Sequence, residues 1–279
     1  MSEGPGQVSG GAGRVSGGPP AASGYRVGMR PGRRTLVSDV DGTLLDGGRP
    51  GEGASALGAR LAAADAALVL SSGRGLELAL AAAETLRDAG LPWPSALVCG
   101  VGSEVYAWDG EGFAEDEGWR RTLAATGFSA GAVRTALAAV PGLVPQPEQA
   151  QGEHKVSYFV TEAPAVEAAA RALAGDGVAA RLVYSAGRFL DVLPRPASKG
   201  GALLRLVERY ELSPAQVVVA GDSGNDRELL VTAADAGMVA VLVANHEPEM
   251  DDLRAYPGVL AASRPFCAGV AEGLTRAGW

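Results

Sequence analysis

From residue 35 onward the chain alternates short apolar runs with longer stretches in which small and apolar residues recur every three or four positions. The runs at 35–38, 67–70, 96–99, 217–220 and 239–243 are apolar almost throughout, the pattern of strands buried on both faces. Segments 54–64, 76–89, 200–210 and 227–234 carry helical spacing, and Gly90 closes the second of them. Strands that alternate with helices in this way predict an α/β fold, a Rossmann-like doubly wound parallel sheet with helices on both faces. Past Tyr106 the rhythm changes. Residues 108–118 are acidic and rich in glycine, 119–126 and 130–139 read as helices, 156–160 as an alternating strand, 165–173 as a helix and 179–185 as another strand. We therefore expect an inserted α+β unit over 108–190, with the core domain formed by 35–107 and 191–279.

Residues 1–34 show neither rhythm. They hold 10 Gly and 4 Pro with almost no large apolar side chains, so burial offers little against the entropy of ordering them, and a disordered tail is expected. Met29 is a candidate start, with residues 1–28 an over-extended reading of the gene; the mass of the native protein decides between the two.

The 279 residues are 47% hydrophobic, enough for a packed core, and carry 24 Lys+Arg against 32 Asp+Glu, a net charge of −8. Such a surface repels nucleic-acid phosphates and anionic lipid, so neither is an expected partner. Two Cys and two His exclude a disulfide framework and zinc sites built from either residue. With no apolar run long enough to span a bilayer and no apolar leader, a soluble cytoplasmic protein is expected.

The chemistry gathers where the apolar runs end. The first run leads into Asp39-Val40-Asp41-Gly42-Thr43, the second into Ser72-Gly73-Arg74, and the run at 217–220 into Gly221-Asp222-Ser223-Gly224-Asn225-Asp226; Lys199 opens the helix before that last run. Ligands of open parallel sheets bind outside the carboxyl ends of the strands, so these clusters should share one site. Carboxylates brought together need a cation, and hard oxygen ligands without His or Cys point to Mg²⁺. A lysine and a hydroxyl beside such a cluster suit a phosphoryl group, and a carboxylate can itself act as nucleophile.

In this order the four clusters resemble motifs I to IV of the haloacid dehalogenase superfamily. The resemblance narrows over Val101-Gly102-Ser103-Glu104-Val105-Tyr106, His154-Lys155-Val156-Ser157-Tyr158-Phe159, Asp191-Val192-Leu193-Pro194 and Ala268-Gly269-Val270, which are similar to the sucrose-phosphate phosphatases. It implies an aspartyl-phosphate mechanism in which Asp39 is the nucleophile and Asp41 the acid and base. It also implies that Ser72, Gly73 and Lys199 hold the phosphoryl group, and that Asp39, Asp41 (through its carbonyl), Asp222 and Asp226 serve Mg²⁺. The insertion would be a C2-type cap that recognises the sugar, for which Lys155, His154 and Tyr106 are the candidates. The implied substrate is sucrose 6-phosphate. Mannosylfructose phosphate, glucosyl- or mannosyl-glycerate phosphate, and a broad range of sugar phosphates are the alternatives. A glycosyltransferase of the sucrose-phosphate synthase kind is the implied partner.

Other readings of the same residues fare worse. Thr43 stands where a calcium loop of the EF-hand type needs Asp or Asn, and Gly100-Val101-Gly102 lacks the third glycine of a dinucleotide fingerprint. A catalytically silent module that keeps the fold has no use for Asp39, Asp41, Lys199 and Asp222 together. His154 reads as a satisfied or surface residue of the cap rather than a base, and His246 as a neighbour of the site's rim. Tyr106, Trp108 and Trp119 read as cap core or as sugar-stacking faces.

Overall fold

The computed structural model describes residues 28–279. In chain order the elements are β1 (Thr35–Ser38), a small hairpin of β2 (Leu45–Asp46) and β3 (Arg49–Pro50), α1 (Ala54–Ala63), β4 (Ala67–Ser71), α2 (Leu76–Asp88), β5 (Ala96–Cys99), β6 (Glu104–Trp108) and β7 (Phe113–Glu115). There follow α3 (Glu117–Ala124), α4 (Ala130–Leu137), β8 (Leu143–Pro145), β9 (Val156–Val160), α5 (Pro164–Gly175), β10 (Arg181–Ser185) and β11 (Phe189–Leu193). The chain ends with α6 (Lys199–Tyr210), β12 (Val217–Gly221), α7 (Arg227–Asp235), β13 (Val239–Leu242), β14 (Val259–Ala261) and α8 (Phe266–Arg276).

Eight strands form one sheet in the order β14-β13-β12-β1-β4-β5-β6-β7. The six from β14 to β5 run parallel, and β6 and β7 close the far edge antiparallel. The chain leaves β1 toward β4 on one side and later returns to β12 on the other, so the sheet reverses its winding beside β1. That is the switch point at which such folds bind ligands. Every residue of β1, β4, β5 and β12 is buried, as the unbroken apolar runs require. One face packs on α1, α2 and α8 through Leu57, Leu61, Ala82, Leu86, Val270 and Leu274. The other packs on α6 and α7 through Leu203, Leu206, Leu229 and Leu230.

The cap is a four-stranded antiparallel sheet, β10-β11-β9-β8. Its alternation is strict on β9: Val156, Tyr158 and Val160 pack with Val133, Leu137 and Ala169 of α4 and α5. That leaves Ser157 and Phe159 on the opposite face, toward the core domain.

Three segments differ from the sequence expectation. The stretch 108–118, expected inside the insertion, carries β7, which pairs with β6 in the large sheet. Trp119 and Leu123 of α3 pack with Leu203 and Leu206 of α6 rather than with the cap. We accordingly propose that the cap begins near residue 127 and ends at Leu193, where β11 leaves the small sheet. Of the expected tail, residues 1–27 lie outside the described residues. Residues 28–34 are ordered: Arg33 is buried, with Nη1 donating to Gly28 O and Nε to Asp65 O, and Met29 packs on the second core cluster. Arg33, together with Arg30 on Asp65 and the Gly28 N–H on Ser95 Oγ, anchors a stretch whose composition reads as tail. Among the described residues no helix is long and apolar enough to cross a membrane.

Candidate active site

The four clusters meet at the carboxyl ends of β1, β4 and β12. Asp39 follows β1 directly, and its N–H donates to Ala220 O of β12 at 2.9 Å, extending the parallel ladder by one bond. Gly42 then turns the chain with φ of +88°; a Cβ there would stand 2.2 Å from Asp222 Oδ2, so glycine alone lets the turn approach that carboxylate. Thr43 Oγ1 donates to Asp222 Oδ1 at 2.8 Å and fixes the acid from the facing loop.

Lys199 is the first residue of α6, a helix that Ser198 caps by accepting from Gly201 N–H at 2.8 Å. Its ammonium is buried and lies 2.5 Å from Asp39 Oδ1 and 2.6 Å from Asp226 Oδ1. Asp226 turns its other oxygen to the backbone N–H groups of Asp222 and Ser223, each at 3.2 Å, so it shapes the loop that carries Asp222. Burial and the Asp226 charge push the Asp39 carboxyl up to about 7 against the pull of Lys199. Burial, with Asp39 and Asp226 close by, pushes Asp222 up to about 9. Burial opposes charge on Lys199, yet Asp226 and Asp39 together raise its pKa above the usual lysine range. One cation therefore stands among three carboxylates, two of which resist ionising.

Those carboxylates fit a further cation. Asp39, Asp222 and Asp226 offer oxygens all within 4.8 Å of one another, and Asp39 Oδ2 is a buried acceptor with no donor. An all-oxygen cluster of this kind takes a hard divalent ion.

Asp41 points the other way, into a cavity of about 790 Å³ between the strand ends and the cap sheet. Arg74 grips it as a fork, Nε to Oδ2 at 2.7 Å and Nη2 to Oδ1 at 2.6 Å. Ser72 is buried at the cavity wall, where its Oγ accepts from Arg74 N–H at 3.1 Å and keeps its own proton for a ligand. Gly73 lines the same wall.

Of the cap candidates, only Lys155 reaches the cavity. Its ammonium is shared between Asp191 Oδ1 at 3.2 Å, Ala150 O at 3.1 Å and Gly73 O at 3.3 Å, so it ties the cap to the loop after β4. His154 is buried, against its reading as a surface residue, and is not among the residues that line the cavity. Tyr106 also stands apart from the cavity wall. It lies on β6 of the core sheet, and its hydroxyl donates to Glu104 Oε2 at 3.0 Å. Trp108 packs edge-on against Phe113 at 5.4 Å, and Trp119 donates to Gly102 O at 2.9 Å; both belong to the core domain, because β6, β7 and α3 do. His246 sits between Val243 O and Asp251, while its neighbour Glu247 lines the cavity.

Several residues of the site were given no role in the reading of the sequence. Asp191 interrupts the otherwise apolar Phe189–Leu193 run, a buried acid in a strand, and that was its signal. Ser157 Oγ donates to it at 2.6 Å. Gln146, Gln149 and Phe189 complete the cap side of the wall, and nothing in their local sequence marks them. Asn225, inside the last cluster, has a buried Oδ1 without a partner and also borders the cavity.

Comparison with known proteins places the chain in a family and a fold. The family model described as sucrose-6F-phosphate phosphohydrolase matches residues 32–277. A probable sucrose-phosphatase 3a of Arabidopsis thaliana is 34% identical over 262 residues, covering 88% of this chain and 60% of that protein. The mannosylfructose-phosphate phosphatase of Agrobacterium fabrum is 34% identical over 189 residues, 67% of this chain and 72% of that protein. The chain thus spans about 60% of the length of the plant relative. The sucrose-phosphatase of Synechocystis, solved with sucrose and phosphate, superposes with a TM-score of 0.76 at 23% identity over 88% of this chain and 98% of its own, a likeness of fold. With its α/β core, inserted cap and four convergent clusters, the chain belongs to the sucrose-6F-phosphate phosphohydrolase family of the haloacid dehalogenase superfamily.

Proposed function

We propose that the protein is a Mg²⁺-dependent phosphatase of a sugar phosphate, with sucrose 6-phosphate as its preferred substrate. The observation that carries the reading is Asp39: a buried carboxylate anchored by Lys199 through one oxygen, with the other free of donors. Its carboxylate attacks phosphorus while the bond to the sugar oxygen breaks, and Asp41 gives that oxygen its proton. Asp41 then takes a proton from water as the water attacks the aspartyl-phosphate, which returns Asp39 and releases inorganic phosphate. Ser72 Oγ, the Gly73 amide and Lys199 hold the phosphoryl oxygens. Asp39, Asp222 and the Asp41 carbonyl would hold Mg²⁺, supported by Asp226; the ion supplies positive charge where the phosphoryl group gathers negative charge.

The cap side of the cavity supports a polyol rather than an apolar ester. Asp191, Lys155, Gln146 and Gln149 offer donors and acceptors, and Phe189 a flat apolar face. The relative from Agrobacterium fabrum supports a second reading, a phosphatase of mannosylfructose phosphate, which presents the same fructose and a different second ring. The test is phosphate release from a panel of sucrose 6-phosphate, mannosylfructose phosphate, glucosylglycerate phosphate and simple hexose phosphates. Each is assayed after chelation and again with Mg²⁺, with Asp39→Asn as the control. Sucrose 6-phosphate should give the highest kcat/KM, and Asp39→Asn should lose several orders of magnitude. Another glycosyl phosphate leading the panel would reassign the substrate, and no hydrolysis of any monoester would remove the phosphatase reading.

A further inference from the structure

The turn that carries Asp41 is held from outside the four clusters. Asn245 follows β13 in the segment Val243-Ala244-Asn245-His246-Glu247. Its Nδ2 donates to Gly42 O at 2.7 Å, and its Oδ1 accepts from Phe266 N–H at 2.9 Å, at the start of α8. Two residues later, Glu247 N–H donates to Asp222 O at 2.9 Å. One short segment thus reaches both acid-bearing loops, the first with a side chain and the second with its backbone.

Gly42 needs that hold. As a glycine at φ +88° it has wide conformational freedom, and no side chain of its own limits it. Its N–H donates to Leu45 O at 2.8 Å, which pins one side. Asn245 pins the carbonyl, so the peptide on each side of Gly42 is fixed. The carboxylate of Asp41 is half exposed and gripped by Arg74 alone, so its place relative to Asp39 depends on the turn beneath it.

We infer that Asn245 is a positioning residue: through the Gly42 carbonyl it sets Asp41 for proton transfer to the leaving oxygen. The inference rests on the acid role proposed for Asp41. The hydrogen bonds of the Asn245 side chain go to Gly42 and Phe266, and none goes to Asp39, Ser72, Gly73 or Lys199, so its loss should be felt where a proton must be delivered and little where it need not be. An error of a fraction of an ångström in the acid's position is enough to cost rate.

Leaving-group dependence separates this role from a merely structural one. An aryl oxide such as p-nitrophenolate departs with little help, whereas an alkoxide needs its proton in the transition state. The experiment compares kcat/KM of wild type and Asn245→Asp on p-nitrophenyl phosphate, phenyl phosphate and a short alkyl phosphate, none of which carries a sugar. Asn245→Asp keeps an acceptor for Phe266 N–H and sets an oxygen against the Gly42 carbonyl. Its loss should be about threefold on p-nitrophenyl phosphate and about 30-fold or more on the alkyl phosphate. In an Asp41→Asn background the same change should cost less than about twofold on the alkyl phosphate, since residues that act as a unit are non-additive. Asn245→Leu, which removes both bonds, should steepen the dependence equally and also lower the thermal midpoint by freeing α8. An equal loss across the series, additivity with Asp41→Asn, or a steeper dependence in Asn245→Leu alone would overturn the inference while wild-type turnover stands. A wild type inert toward every monoester would instead overturn the phosphatase reading beneath it.

Discussion

Lys155 has three N–H donors and three acceptors: Gly73 O, Ala150 O and Asp191 Oδ1. On the proposed function, a sugar hydroxyl at this point would meet an ammonium already shared between cap and core, so Lys155 would act on substrate only together with Asp191. Its removal also leaves Asp191 buried without a counter-charge, the costly way to break such a pair. Lys155→Met keeps the stem and removes the charge. It should raise KM for the preferred sugar phosphate about tenfold, roughly one charged hydrogen bond, and for p-nitrophenyl phosphate about two- to threefold through the slackened Gly73 loop. Adding Asp191→Asn should restore most of the thermal midpoint lost in Lys155→Met and none of the sugar-phosphate KM. Equal KM changes on both substrates would leave Lys155 with the loop alone. Legibility at this scale follows side-chain reach. The convergence of Asp39, Ser72 and Asp222 could be read because each sits in a short polar pattern at the end of an apolar run. The positions of Tyr106 and His154 could not be read, because an aromatic or imidazole beside a strand has two faces to choose from, and the choice belongs to the neighbouring strand.

At the scale of elements, α3 shows how a helix finds its partner. Asp116 caps it by accepting from Trp119 N–H at 3.0 Å. The same carboxylate accepts from Arg205 Nε at 3.0 Å and forms an ion pair with Arg209 at 2.8 Å, both on α6. Burial works against its charge, but the hydrogen bonds from Arg205 and Arg209 prevail and hold the carboxyl at about 2, below its ordinary 3.8. A carboxyl depressed in the fold stabilises it at every pH above the unfolded value, and that stability is lost as pH falls from about 4 through 2. Asp116→Asn should therefore cost about 2–4 kcal/mol at pH 7, the sum of a weakened cap and two abandoned guanidinium contacts. By urea denaturation the gap to wild type should shrink steadily below pH 4, and a gap independent of pH would remove the ion pair from the account. The sequence shows the apolar stripe of α3 through Trp119 and Leu123, but a stripe names no partner. Its packing on Leu203 and Leu206 and the ion pairs of Asp116 with Arg205 and Arg209, all far along the chain, assign it to the core domain.

Across the whole molecule, segments separated by up to 187 residues bring Asp39, Lys199, Asp222 and Asp226 into one buried group. Asp39 and Asp222, raised to about 7 and about 9, bind protons more tightly in the fold than in the unfolded chain. The metal-free protein should then lose stability as pH rises from about 4 to 9, the sign set by more protons bound in the native state. A divalent cation takes the place of those protons, so its stabilisation should grow across the same window. The check is the thermal midpoint at pH 5.5 and pH 8, in chelator and in Mg²⁺. A larger Mg²⁺-induced rise at pH 8 is expected, and an equal rise at both would place the ion away from these carboxylates.

The sequence by itself determined the parallel core and the place where its acids, hydroxyl and lysine gather. Apolar runs without a polar face become interior strands, and the acids, hydroxyl and lysine that end or precede them have only the carboxyl edge of the sheet to occupy. It also determined that a different unit interrupts that core, because the spacing of apolar residues changes where the insertion lies. Tertiary structure decided the rest: where the cap begins, that Arg33 orders the segment before β1, that Lys155 spends its ammonium on Asp191 and Gly73, and that Asn245 steadies the turn of Asp41. Each of these depends on a pairing between residues far apart in the chain. Local pattern encodes which face of an element is buried, whereas the residue it meets there is set by how the crossovers pack.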